Sequence, residues 1–178
     1  MKQDFTETVA VPEGITVEAS ANSVKIKGPK GELSRRFVIP KISIEAKDGN
    51  VILSSKSATK REKSKLYATR AHINNMLKGV QAPFVYVLKI CSGHFPMNVS
   101  LAGSKLSVKN FLGEKIPRIT EIPQGVAVKI EGDKITVTSI DTELGGRTSS
   151  NIEQLTRIAR RDRRIFQDGI YIIQKPEA

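Results

Sequence analysis

Residues 15–37 read ITVEASANSVKIKGPKGELSRRF, and residues 97–119 read MNVSLAGSKLSVKNFLGEKIPRI. Laid on one another without a gap, Val17 falls on Val99, Lys27 on Lys109, Gly31 on Gly113, Glu32 on Glu114 and Arg36 on Arg118. Apolar positions coincide as well: Ile15 with Met97, Val24 with Leu106, Ile26 with Val108. Self-similarity of this kind marks one structural unit used twice. Within each copy, Ile15, Val17 and Ala19, then Val24 and Ile26, alternate with polar residues, the period of a half-buried strand. Gly28-Pro29-Lys30-Gly31 is a turn by composition, because glycine frees φ and proline fixes it.

Leu33 to Ile39 is again extended. Ile42, Ile44 and Ala46 alternate, Asp48-Gly49-Asn50 turns, and Val51, Leu53 and Ser55 return, a hairpin signal. Val51 and Leu53 lie over Ile135 and Val137 in the second copy after a small change of length. The period then changes. Thr59 with Glu62 three places on predicts a capped helix start. Leu66, Ile73, Met76, Leu77 and Val80 form its apolar stripe, and Gly79 serves as a C-terminal stop. Lys56, Lys60, Arg61, Lys63 and Lys65 surround its start, opposed by Glu62. They read either as a solvated first turn or as a seat for an anion. Each copy is therefore several antiparallel strands followed by one helix, an α+β unit present twice. The expected division is a short extension over 1–10, a first repeat over 11–82, and a second over 83–178 with an Arg-rich C-terminal segment.

The second copy carries additions: a strand from Phe84 to Ile90, a turn at Ser92-Gly93-His94-Phe95-Pro96, a Gly145-Gly146 loop, and a final strand, Ile170 to Ile173. The stretch TSSNIEQLTRIARRDRRIFQDGIY, residues 148–171, runs from just after that loop into the final strand. Ser150 with Glu153 has capping-box spacing. Ile152, Leu155, Ile158 and Ala159 supply an apolar face. Arg157, Arg160, Arg161 and Arg164 recur at i, i+3, i+4 and i+7, which predicts a guanidinium row on the opposite side of one helix, with the pattern fading near Arg163. Such a row is an ordinary solvated face, or it is a phosphate-binding surface, since Arg forks match phosphate oxygens in geometry and charge.

Charge bears on that choice. The chain has 29 Lys+Arg against 18 Asp+Glu, a net charge of +11, which draws it to polyanions. The single cysteine, Cys91, leaves no intrachain disulfide and fits a reducing compartment. No signal-peptide core or bilayer-length apolar run is present, so a cytoplasmic protein without a membrane role is expected, and the Asn98-Val99-Ser100 sequon is read as chance.

Catalytic motifs do not emerge. Cys91 and His94 form a C-x-x-H pair, too few ligands for zinc in a chain with one Cys and two His. Cys91 reads as a small core residue and His94 as a turn residue able to touch a partner. No phosphate-binding loop, nucleophile elbow or metalloprotease motif occurs. No enzyme activity, cofactor or metal is expected. Aromatics are few, which favours recognition of folded RNA by backbone and shape over stacking on single strands. Lys105, Lys109, Lys115 and Arg118 add a second basic strip beside Phe111, or are edge-strand residues that keep the protein soluble.

Several segments resemble one family. His94-Phe95-Pro96-Met97-Asn98-Val99 and Asn110-Phe111-Leu112-Gly113-Glu114-Lys115 resemble the second domain of the universal large-subunit ribosomal protein six family, in its archaeal and eukaryotic branch. His72 to Val80 looks like the helix ending that family's first domain, and Ile152 to Tyr171 like its C-terminal signature. The resemblance runs from about Val11 to Lys175. It implies two tandem α+β domains in a structural component of the large ribosomal subunit. It implies that the second domain makes most of the contact with large-subunit rRNA, near the sarcin–ricin loop where translational GTPases dock, among neighbouring ribosomal proteins. The RNA-binding candidates are His94, Asn98, Lys105, Lys109, Asn110, Lys115, Arg118, Arg147, Arg157, Arg160, Arg161, Arg163 and Arg164. The Lys56–Lys65 stretch matches no motif of the family.

Overall fold

The structure, a computed structural model, describes residues 3–20, 23–47 and 49–176. The chain forms two compact units, Met1–Pro83 and Phe84–Ala178. The first contains β1 (Gln3–Ala10), β2 (Thr16–Ser20), β3 (Ser23–Gly28), β4 (Gly31–Arg36), β5 (Ser43–Lys47), β6 (Asn50–Ala58) and α1 (Lys60–Gln81). The strands make two antiparallel sheets in the orders β1-β6-β5 and β2-β3-β4. Strand alternation supplies the core: Val24, Ile26, Val51 and Leu53 are fully buried, and α1 closes over them with Leu66, Ile73, Leu77 and Val80. Asp48, in the expected hairpin turn, lies outside the described residues, but β5 and β6 pair as that hairpin requires.

The helix begins where its capping box predicts. The Thr59 side chain accepts from the Arg61 N–H, and Glu62 Oε2 accepts from the Thr59 N–H at 2.9 Å. Gly79 is not the stop. It is buried within the helix, which continues to Gln81. A different glycine answers to the helix end. A Cβ on Gly28 would sit 2.8 Å from Val80 Cγ2, so the β3–β4 turn reaches the end of α1 only because residue 28 has no side chain. Lys30 N–H then donates to Val80 O at 3.0 Å.

The second unit contains β7 (Phe84–Cys91), β8 (Asn98–Ala102), β9 (Lys105–Lys109), β10 (Arg118–Glu121), β11 (Val126–Glu131), β12 (Lys134–Ser139), α2 (Thr142–Leu155) and β13 (Gly169–Gln174). Its sheets run β11-β12-β7-β13 and β10-β9-β8, all antiparallel. Leu88, Leu106, Ile135, Val137, Ile152 and Ile170 are fully buried at its centre. Two similar α+β units in tandem are what the repeated sequence predicts.

Two readings of the repeat change. Residues 3–10 are not an extension: they form β1, which pairs with β6 along its length and buries Val9. The β7 strand is accordingly not an addition to the second unit. It is the counterpart of β1, since β7 pairs with β12 as β1 pairs with β6. What the second unit adds is β13, which turns β7 from an edge into an interior strand. An edge strand with polar residues on its open side looks like a tail in sequence, which is why β1 was hidden.

The last helix is displaced by nine residues, its cap falling at Asp141 instead of Ser150. It begins at Thr142, capped by Asp141, whose carboxylate accepts from the Glu143 N–H at 2.9 Å. Gly145 and Gly146 lie inside it rather than in a loop before it. Tyr86 of β7 is the reason: a Cβ on Gly145 would stand 2.9 Å from Tyr86 Cε2, and one on Gly146 3.1 Å from Tyr86 Oη. The tyrosine hydroxyl donates to Thr142 O at 2.8 Å and so fastens the helix start to the sheet. The helix ends at Leu155, so Arg157 to Arg164 are not a helical row.

Candidate nucleic-acid interface

The arginines occupy an irregular segment between α2 and β13. Its path is set by side chains that claim the helix end. Arg118 on β10 donates Nη1–H to Leu155 O at 2.8 Å and Arg157 O at 3.2 Å, while Nε and Nη2 grip Glu114 at 2.8 and 2.6 Å. The Arg118 guanidinium also lies 4.4 Å from the Phe111 ring centroid. Thr156 Oγ1 accepts from Ile170 N–H at 2.8 Å, and Glu153 Oε1 accepts from Ile172 N–H at 3.0 Å. These two bonds occupy N–H groups on the side of β13 away from β7, so the edge is closed and the helix end is tied to it. Ser150, the expected cap, is an exposed residue within α2, and Glu153 serves β13 instead.

Ile158 turns inward and is buried, and Arg160 has left-handed backbone (φ 57). Asp162 then organises the next turn. Its carbonyl accepts from Ile165 and Phe166 N–H, and its carboxylate accepts from Arg164 N–H and from the Arg164 guanidinium. Arg164 pairs with Asp162 at 2.7 Å and holds its carboxyl below the usual range. Arg161 lies 4.8 Å from the Phe166 centroid, and Phe166 lies 4.7 Å from the His94 ring. Beneath this stack, Asp168 is buried at 2% exposure. Burial pushes its carboxyl upward, but backbone N–H donors from His94 and Gly93 and the His94 imidazole outweigh that and leave it depressed. The ionised carboxylate requires the hydrogen of the imidazole on Nδ1, so the second nitrogen, Nε2, is the one free for a partner.

The thirteen sequence candidates thus fall into different environments. Arg157, Arg160 and Arg163 are exposed and form no ion pair among the described residues. Arg147 is exposed on α2. Asn98, Lys109 and Asn110 line one groove on the β8–β9 side, where Asn110 donates to Pro96 O at 3.1 Å. Lys115 is exposed, and Lys105 faces Glu121 at 3.7 Å on the surface. His94 lines a separate groove with Tyr171 and Asp168. Arg118 is consumed in holding the helix end. Cys91 is half-buried at the end of β7 rather than a core residue, and His94 bonds Asp168 and not the cysteine. Among the described residues no group of three or more His, Cys, Asp or Glu could hold a metal, and no helix is long and apolar enough to cross a membrane.

In the first unit, the basic approach to α1 is partly folded onto aromatics: Lys63 Nζ lies 4.3 Å from the Phe5 centroid and 5.9 Å from that of Tyr67. Asp168, Phe166, Tyr171 and Glu153, which shape this surface, are not among the residues that the sequence pattern singles out for it. No local signal in the sequence joins Asp168 to a histidine 74 positions earlier.

Two α+β units built on one repeated pattern, the second carrying a run of exposed arginines, define the architecture, and comparison with known proteins narrows it to a family. The family described as "Ribosomal protein L6" matches residues 11–82 and 95–169. The chain is 49% identical over 175 residues to large ribosomal subunit protein uL6 of Nanoarchaeum equitans, covering 94% of this chain and 91% of that one. It is 42% identical to uL6 of Methanobrevibacter smithii, covering 95% of each, and 42% identical to uL6 of Methanosarcina mazei, covering 98% and 99%. This chain belongs to the ribosomal protein L6 family, on its archaeal side.

Proposed function

We propose that the chain is a structural, non-catalytic constituent of the large ribosomal subunit in the cytoplasm, and that its second unit seats it on large-subunit rRNA. Family membership supports the first part. The observation that carries the second is the Thr156–Asp168 segment, where five arginines fall in eight residues, 157–164, and all of them but Arg164 form no ion pair among the described residues. A fold that ties down both ends of this segment with Arg118, Thr156 and Asp168, and leaves Arg157, Arg160 and Arg163 to solvent, presents cations for phosphates at low reorganisation cost. Asn98, Lys109, Asn110, Lys115 and Nε2 of His94 supply further donors on the same unit. The resemblance of the His94–Val99 and C-terminal motifs supports a seat near the sarcin–ricin loop, close to where translational GTPases dock, with other large-subunit proteins as neighbours.

The test is a fluorescence-anisotropy titration of the full chain at several salt concentrations. The ligands are an rRNA fragment carrying the sarcin–ricin region, an unrelated folded RNA and duplex DNA. Tighter binding to the first at physiological salt is expected. Equal, steeply salt-dependent binding to all three would overturn a dedicated seat in that fragment. Changing Arg157, Arg160 and Arg163 together to Ala is expected to flatten the log–log salt slope by about 2 to 3, the release from roughly three phosphates. An unchanged slope in a folded triple variant would remove these arginines from the interface.

A further inference from the structure

Between the end of α2 and β13 lies a groove of about 410 Å³ that the charge pattern alone does not explain. It is lined by Glu153, Gln154, Arg157, Arg163, Phe166 and Tyr171, among others. Arg157 and Arg163 stand on its walls without acidic partners among the described residues. Phe166 is already engaged by His94 and Arg161. No ring or cation contact to Tyr171 occurs among the described residues: the residue is 40% exposed, and its hydroxyl is shared between the carbonyls of Gln167 and Asp168 at 3.2 and 3.3 Å, which holds the ring in place. The groove also contains one fixed acceptor. Glu153 Oε1 is held by the Ile172 N–H, and Oε2 takes no hydrogen bond among the described residues.

An immobilised aromatic face, two unpaired guanidinium groups and an oriented carboxylate oxygen match the parts of a single unstacked nucleotide. The ring accepts the flat face of a base, the guanidinium groups take the phosphates on either side, and the carboxylate accepts from an exocyclic amine. A paired duplex offers none of its base faces, so its phosphates alone could engage. Uracil has no exocyclic amine and turns a carbonyl toward Glu153.

We propose that this groove receives one unpaired nucleotide whose base carries an exocyclic amine. The base lies on Tyr171, its amine donates to Glu153 Oε2, and its flanking phosphates sit on Arg157 and Arg163. The proposal rests on the RNA-binding reading above and adds to it a preference for a bulged, amine-bearing base.

The experiment titrates the full chain against four RNA stems of equal length: one fully paired, and three with a single bulged A, C or U. The A and C bulges are expected to bind on the order of tenfold tighter than the paired stem, within the range for one base–aromatic stack, and the U bulge closer to the paired stem. Tyr171→Leu is expected to abolish the bulge advantage, and Tyr171→Phe, which keeps the ring, to retain it. Glu153→Gln, which keeps an acceptor for the Ile172 N–H, is expected to bring the U bulge up to the others. Equal binding of paired and bulged stems by the unaltered chain would overturn the proposal while leaving RNA binding intact, and needs no variant to fold. So would a bulge advantage that survives Tyr171→Leu, or a U bulge bound as tightly as A and C. Absence of binding to any stem would overturn the RNA-binding reading and this proposal together.

Discussion

The imidazole Nδ1 of His94 lies 2.5 Å from Oδ2 of Asp168, across 74 residues of chain. The other carboxylate oxygen accepts from the backbone N–H groups of Gly93 and His94 at 2.5 and 3.0 Å. One buried carboxylate therefore closes the 92–96 turn onto the start of β13 and sets the free imidazole nitrogen outward. Asp168→Ala leaves two backbone N–H donors and the imidazole N–H without their acceptor and is expected to cost about 1.5–3 kcal/mol, the range for hydrogen bonds to a charged group. Urea midpoints of the two proteins measure it. The carboxyl is depressed in the fold, so its stabilisation is complete above the ordinary carboxylate range and fades as pH falls below it. The difference between the unaltered protein and Asp168→Ala should shrink in acid. A gap that stays constant from neutral pH to strong acid would contradict the assignment.

Arg118 holds Glu114 and two carbonyls at the end of α2 in a planar fork. Lysine keeps the charge but cannot reproduce that geometry. Arg118→Lys is expected to lose about 1–2 kcal/mol of stability and to leave the salt slope of RNA binding unchanged. A flattened slope at unchanged stability would instead place Arg118 on the RNA.

Gly145 is the fourth residue of α2, a helical position where alanine normally gains about 1 kcal/mol of helix propensity. The Tyr86 ring reverses the sign. A Cβ there meets Tyr86 Cε2 at 2.9 Å and Ser139 Cβ at 3.3 Å, so Gly145→Ala must shift either the ring or the helix. Overpacking of this kind costs roughly 1–3 kcal/mol, and a net loss of stability in thermal melts is expected. A stabilised Gly145→Ala variant would show that the helix and β7 separate freely.

In the first unit, Glu62 carries an acid-resistant cap. Its bonds with the Thr59 side chain, then with the Thr59 backbone, lower its pKa to about 2 from an ordinary 4.5. A depressed carboxyl contributes stability that is whole above the unfolded value and is lost as pH falls through the folded one, here between about 4.5 and 2. Helix α1, followed by backbone amide signals across that range, should keep its first turn at pH 3.5. Fraying of residues 60–63 already at pH 4.5 would contradict it.

Periodicity and self-similarity in the sequence were enough to establish the duplicated α+β architecture, the strand alternation that fills each core, and α1 with its Thr59–Glu62 box. Those features depend on neighbours in sequence or on a repeat of period 82, and both are visible in a string of residues. The net charge of +11, spread along the chain, and the family resemblance were legible for the same reason.

Tertiary structure alone decided where α2 starts and stops. Local pattern favoured a helix from Ser150 through the arginines, because Gly145-Gly146 looked like a loop and the Arg spacing was helical. The packing of Tyr86 against two glycines admits the helix earlier, and Arg118, Thr156 and β13 capture its end at Leu155, before the arginines begin. The same long-range contacts sort guanidinium groups that are equivalent in sequence: Arg118 fixes a helix end, Arg164 neutralises Asp162, and Arg157, Arg160 and Arg163 stay free for a partner. A side chain's charge is written in the sequence, but whether that charge is spent within the fold depends on acceptors that the folded chain brings to it from tens of residues away.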